Sequence, residues 1–267
     1  MAAVWVVAAT PRAQDRKTLD LILDTYVRDG FVYYRALKSD RAKLDSYVAQ
    51  LGSVAPDKLS REERVAFWLN AYNALVLRTI VDAYPIQGKS PDYPETSVRQ
   101  IPGAFERTKH RVAGQSLTLD EIETGPIAGF GDARMILALG RGARGSGRLR
   151  SEAYRAEKLD AQLNETVAEC AERVSCVRID RATNTLEVTP IIGWRAALFE
   201  KAFVSQAGAR WPKRSPIERA VAAMIAPHMF PSEREFLEAD TFHMTYGTFD
   251  WELNLLGTAA ADAWTSR

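Results

Sequence analysis

Arg141, Arg144, Arg148 and Arg150 alternate with Gly140, Gly142, Gly145 and Gly147, and Ser146 lies among them. Glycine lets backbone amides turn toward a ligand, and guanidinium groups match phosphate or carboxylate through paired hydrogen bonds. The chemistry on offer is anion binding, with Arg141, Arg144 and Ser146 as candidate contacts. The Gly-Lys-Ser/Thr ending of a Walker loop is absent. A flexible basic surface loop is the competing reading. Asn70 and Asn73 form a second constellation, one turn apart on the same side of a helical pattern. A buried amide left without partners costs roughly 1–3 kcal/mol. The pair therefore either ties down loop backbone or donates to a ligand carbonyl or oxyanion in a cleft.

Covalent chemistry is harder to place. Nucleophilic catalysis needs a nucleophile beside a base, and the only histidines are His110, His228 and His243. His110 lies in a basic stretch with Arg107, Lys109 and Arg111 that reads as a solvated face. His228 falls at a helix end, where an imidazolium meets the carbonyl end of the dipole. His243 precedes Met244 in a strand-like segment. There is no Gly-x-Ser-x-Gly elbow and no His-x-His or His-x-x-x-His pair. No catalytic residue, metal ligand or cofactor is assigned. Asp120, Glu121 and Glu123 are a carboxylate cluster, but Glu121 is explained by helix capping and Asp120 by the helix dipole. Cys170 and Cys176 read as two buried thiols, and could pair only if the helix between them ends.

Net charge is +1, from 35 basic and 34 acidic residues. Whole-chain electrostatics therefore recruits neither nucleic acid nor an anionic membrane. No apolar run reaches the roughly 18 residues that span a bilayer. Residues 1–14 read as a signal-peptide remnant, with an apolar segment from Met1 to Thr10 and a polar break from Pro11 to Gln14. Export to the periplasm or beyond is expected; a cytoplasmic protein with an apolar N-terminal strand is the alternative.

Several elements must position these residues. Leu19, Ile22, Leu23, Tyr26 and Val27 mark a helix ended by Gly30, followed by a short strand from Phe31 to Tyr34. Leu44, Tyr47, Val48 and Leu51 mark another, stopped at Gly52. Ser60 and Glu63 form a capping box for a helix running to Tyr84, apolar almost all round from Val65 to Leu77 and so expected at the centre of the core. A hairpin is expected around Gly114 and a second capping box at Thr118 and Glu121. Arg134 to Leu139 reads as a buried strand, and Ser151 as the cap of the next helix. Val177–Asp180 and Thr185–Val188 form a hairpin with Asn184 near its apex. Trp194 to Phe203 and Ile217 to Met229 read as helices, and Tyr246 to Leu253 as a closing strand. The expectation is an α+β fold: a single mixed domain over residues 15–267, with a central buried helix packed on a small, mainly antiparallel sheet.

Phe67-Trp-Leu-Asn-Ala-Tyr-Asn-Ala74, Tyr26 to Gly30 with Tyr34, Ser116 to Glu123, and Asp250-Trp-Glu-Leu-Asn254 occur in an order that resembles the family numbered 547 among domains of unknown function. The resemblance implies a histidine where this chain has Thr124, another where it has Ile136, and a Cys-Gly-x-x-x-Cys-Pro loop where it has Arg141 to Gly147. A degenerate or non-catalytic member is therefore expected, and the residues themselves suggest a small anionic or peptide-like ligand bound through Asn70, Asn73 and the arginine loop. The alternative is a hydrolase or amidase of transglutaminase-like or papain-like type, using Ser146 or an unplaced histidine.

Overall fold

The computed structural model describes residues 16–257. The signal-like segment lies outside the described residues.

Helix α1 (Arg16–Tyr26) leads into β1 (Val27–Arg28), which pairs antiparallel with β2 (Phe31–Val32). Two short helices follow, α2 (Tyr34–Ser39) and α3 (Ala42–Leu51). The expected strand to Tyr34 is thus only Phe31 and Val32, because Tyr34 already opens α2. The central helix, α4 (Arg61–Ala83), has the anticipated boundaries. Ser60 accepts from the Glu63 amide at 3.2 Å while the Glu63 carboxylate accepts from the Ser60 amide at 2.9 Å. Every residue from Val65 to Leu77 is buried, so nearly the whole circumference meets protein.

β3 (His110–Val112) and β4 (Gln115–Leu117) form the hairpin at Gly114. Its tip is docked on the end of α3: the Ala113 and Gly114 amides donate to the Leu51 and Gly52 carbonyls, both at 2.9 Å. These bonds satisfy carbonyls that a helix end leaves open. Thr118 and Glu121 cap α5 (Leu119–Ile122) as read. A wider π-helical turn over Glu123–Ile127 then intervenes; Pro126 has no N–H to close a regular helical bond.

The expected strand at residues 134–139 is a helical turn, α6 (Arg134–Leu137). Asp132 turns the chain into it, accepting from the Arg134 amide at 3.1 Å. Its apolar residues are buried on all sides, so period alone could not separate strand from helix. Ser151 caps nothing. The stretch after it is held irregular by side chains: Gln162 accepts from the Arg155 amide at 2.9 Å and donates to the Ala153 carbonyl at 3.0 Å. The helix proper, α7 (Leu159–Glu172), starts later.

α7 ends between the cysteines, and a turn in which the Cys176 amide donates to Arg173 O at 2.8 Å brings their Cα atoms to 5.2 Å, joined as a disulfide. The reading as two thiols is corrected: the helix had to stop for them to meet, and it does. β5 (Val177–Asp180) and β6 (Thr185–Val188) make the second hairpin, Asn184 taking a positive φ of 54° at its turn. Helices α8 (Pro190–Trp194), α9 (Ala196–Phe203), α10 (Pro216–Ile225) and α11 (Pro231–Glu238) follow. A capping box at Ser215 and Glu218, missed in the sequence, starts α10. Its regular turns stop at Ile225, since Pro227 cannot donate.

β7 (His243–Tyr246) adds parallel to β6, completing a three-stranded sheet beside two two-stranded ones. Beyond it the chain is irregular rather than a strand to Leu253, touching Ala143 and Val32 through isolated bridges from Leu253 and Leu255. One continuous hydrophobic cluster runs from Leu19 to Leu253. This is a single α+β domain around α4. No helix among the described residues is long and apolar enough to cross a membrane.

Candidate functional site

α4 presents Asn70, Tyr72 and Asn73 to the loop that follows α6. Both asparagines are buried and spend both ends of their amides on backbone. Asn73 accepts from the Gly140 amide at 2.8 Å and donates to Ala138 O at 3.3 Å. Asn70 accepts from the Tyr154 amide at 2.8 Å and donates to Tyr154 O at 2.9 Å. Each imitates a strand partner for a segment that has none, so together they clamp the loop at its beginning and end.

Between those clamps the arginines do not form an open cradle. Arg141 turns inward, its side chain only 4% exposed, and its Nη2 donates to Glu123 Oε2 at 2.8 Å. Its Nη1 donates to Leu139 O at 3.3 Å, and its guanidinium lies 5.9 Å from the centre of the Trp194 ring. Burial alone would weaken the charge, but Glu123 and its neighbours outweigh that and hold the proton more firmly than usual. The other Glu123 oxygen meets Arg195 Nη2 at 2.9 Å, and Arg195 is 29% exposed. Glu123 is therefore shared between a sealed guanidinium and one that reaches solvent.

Around this trio, Tyr72 is fully buried and its hydroxyl has no hydrogen bond of good geometry; burial pushes its pKa upward. Asp120 is also held above the usual carboxylate range, chiefly by burial and then by the Glu106 and Glu123 charges. Trp194, 42% exposed, stacks with Trp251 at 6.2 Å and leans on Phe249 at 5.0 Å. An aromatic shelf thus borders the exposed end of the trio.

The loop's amides are committed as well. Gly145 N donates to Asp250 O and Arg144 N to Glu252 O, both at 2.9 Å, while Gly142 O accepts from Asn254 N at 3.2 Å. Gly142 has φ +70°, and a Cβ there would fall 2.3 Å from Ile80. Glycine is required here to let the loop lie against α4, not to offer amides to a ligand. Ser146 is buried and its hydroxyl donates to Ala143 O. Arg144 is half-buried at the loop's edge. Arg148 pairs with Asp29 and Glu169, and Arg150 with Glu152 and Glu165. The picture of a solvated, flexible basic loop is corrected accordingly.

Of the proposed contacts, the structure gathers Asn73 and Arg141 around one loop, sets Asn70 at its far end, and turns Ser146 inward. Glu123 was visible in the sequence only as one of several acids, and Arg195 was not noticed. The signal for their pairing, a lone arginine far downstream, is not local. Asn254 was also missed as a hub: it accepts from Tyr34 Oη and donates to Gly30 O, both at 2.7 Å. Among the described residues no histidine side chain hydrogen-bonds a serine, cysteine or carboxylate, and no cluster of metal-ligating side chains forms. His243 is exposed and His228 half-buried, while His110 belongs to a different part of the surface.

The fold and site define an α+β domain whose central helix clamps a glycine-arginine loop over a buried Glu123–Arg141 pair. Residues 56–169 match the sequence model of the family described as "Protein of unknown function, DUF547", so the chain carries a domain of that family. The match includes α4, Glu123 and the loop; Arg195 and the segment around Trp251 lie beyond it. No curated protein and no solved structure matches the chain.

Proposed function

We propose that this chain is a non-catalytic member of its family that binds a small anionic or peptide-like ligand at the open end of the Glu123 trio. The observation that carries the reading is the buried Arg141–Glu123 pair. On the resemblance, Arg141 and Ser146 stand where the family has cysteines. Here one of those positions is an ion-paired cation and the other a hydroxyl spent on its own loop. Neither presents a nucleophile beside a base.

Binding chemistry is left where the trio meets solvent. Arg195 can take a carboxylate through charge-assisted hydrogen bonds, and Trp194 offers a flat apolar face beside it. Arg144, at the edge of the same loop, can strengthen the attraction. Asn70 and Asn73 contribute by holding the loop rather than by touching the ligand. The Cys170–Cys176 bond supports export to an oxidising compartment, since such bonds persist there and are rare in cytosol.

The test is a calorimetric titration with short peptides bearing a free C-terminal carboxylate, against the same peptides amidated. Arg195→Ala should weaken the free-carboxylate peptides by about tenfold, the size of one charge-assisted bond, with Arg195→Lys recovering part. Equal affinities for wild type and Arg195→Ala would overturn the site. Hydrolysis of a chromogenic amide that vanishes in Ser146→Ala would overturn the non-catalytic reading.

A further inference from the structure

We propose that the groove bounded by α3, α4 and β3 is a second binding site, for a small amphiphilic carboxylate with a short aliphatic tail. The groove encloses about 610 Å³, within the size range of small-molecule sites. It is separate from the Glu123 trio: α4 brings Tyr72 to the trio and, two turns further on, Thr79 and Asp82 to the groove.

Its floor is apolar. Val48 comes from α3, Leu75 and Thr79 from α4, and Ile101 from the segment before β3. The Thr79 hydroxyl donates to Leu75 O at 2.8 Å, so no unspent donor remains on that side chain to hold water against the floor. Its rim is basic, and the basic groups differ in how far they are already engaged. Arg78 is bound by Asp45 and Asp82, and Lys109 by Glu121. Asp82, the one carboxylate on the lining, is held between Arg41 and Arg78 and so does not repel an incoming anion strongly. Arg111 has no ion-pair partner among the described residues; its stem lies across Gly52, where a Cβ would come within 2.8 Å of its Cγ.

The second, independent observation is His110. Its Nε2 is buried and has no hydrogen-bond partner. Buried polar atoms in folded proteins are almost always satisfied, and leaving one bare costs roughly 1–3 kcal/mol. The nitrogen is closed to solvent as it stands, so the ring must turn toward the groove to meet an occupant; one that then brings it an oxygen, with a negative charge for Arg111 and an alkyl chain for the floor, completes all three. A bare inorganic anion leaves the floor wet, and an alcohol leaves Arg111 unpaired.

Octanoate, octanol and inorganic phosphate are the probes, read by calorimetry and by the ring signals of His110 in NMR spectra. Two variants at exposed positions control the site: Arg111→Ala removes the free charge, and Ala49→Trp plugs the groove from its rim. Octanoate should bind saturably and move the His110 signals, octanol and phosphate at least about tenfold more weakly. Arg111→Ala should weaken octanoate by a similar factor, and Ala49→Trp should abolish binding while thermal midpoints stay at the wild-type value. Arg195→Ala should leave octanoate binding unchanged, which separates this site from the one at the trio. No movement of the His110 signals at saturation of the solution with octanoate would overturn the proposal. So would binding that survives both groove variants, or phosphate binding as tightly as octanoate.

Discussion

Two basic regions flank the same helix and have opposite fates. At the Glu123 trio the cation is internal: Arg141 is sealed, its charge is met by Glu123, and the surrounding amides are committed to Asn73 and to the C-terminal segment. At the groove the cations stand at the rim, Arg111 is unpaired among the described residues, and a buried imidazole nitrogen is bare. Clustered arginines thus say little by themselves about ligand binding. What decides is whether the fold has already supplied the counter-charge. A glycine-rich loop can let amides approach a ligand, or it can let the loop press against a helix, and Gly142 serves the second purpose.

If that contrast is right, the sealed region should be costly to disturb. Arg141→Ala leaves one oxygen of the buried Glu123 without its cation, Arg195 still holding the other; breaking a buried pair outright costs about 3–5 kcal/mol, and urea denaturation of the variant should show a loss approaching that. The double variant Arg141→Met, Glu123→Leu should recover much of it, because no buried charge is left unpaired: Arg195, the one cation that loses Glu123, reaches solvent. An Arg141→Ala midpoint equal to wild type would show the region is open to water after all. Gly142→Ala comes next: a positive φ and a Cβ driven against Ile80 should together cost about 2 kcal/mol or more. Asn73→Ala removes partners from Gly140 N and Ala138 O and should cost about 1–3 kcal/mol, with faster hydrogen exchange at the Gly140 amide. Unchanged exchange there would mean the loop holds itself.

The clamp was half legible in the sequence. Ser60 with Glu63 and the unbroken apolar run announced a central helix, because capping and burial of all faces are local signals. The spacing of Asn70 and Asn73 announced that both amides meet one neighbour. Which neighbour was not legible, since the loop carbonyls they bind lie 65 and 84 residues further along the chain. The setting of the arginine loop is hidden for a related reason: glycine and arginine have the same composition on a surface as in a sealed turn, and Arg141 and Arg195 meet Glu123 only through tertiary structure. Residues 134–139 were read as a strand because a fully buried run carries no period. His110 reads as solvated because its sequence neighbours are charged, yet the ring is half-buried in the groove that Lys109 and Arg111 also line, with Leu75 and Thr79 of α4 on its floor.

The smallest expected effect probes the other half of the contrast. Burial is the main influence on His110 and lowers its pKa from the ordinary 6.5; Arg78 lowers it further, while Asp82 opposes both. The unfolded chain therefore takes up this proton at a higher pH than the folded one. Above the ordinary histidine range both states are neutral and the residue contributes no slope. As the pH falls through that range the unfolded state gains a proton that the folded state refuses, so stability declines, and the decline levels off below the folded pKa. The difference in unfolding free energy between wild type and His110→Gln, measured by urea titration at a series of pH values, should show this slope. Saturating octanoate should shrink it, since an anion beside the ring favours the imidazolium and raises the folded pKa toward the unfolded one. Parallel stability curves for the two proteins would mean the imidazole is as well hydrated in the groove as in water, and the bare nitrogen would then be no recruiting point for a ligand.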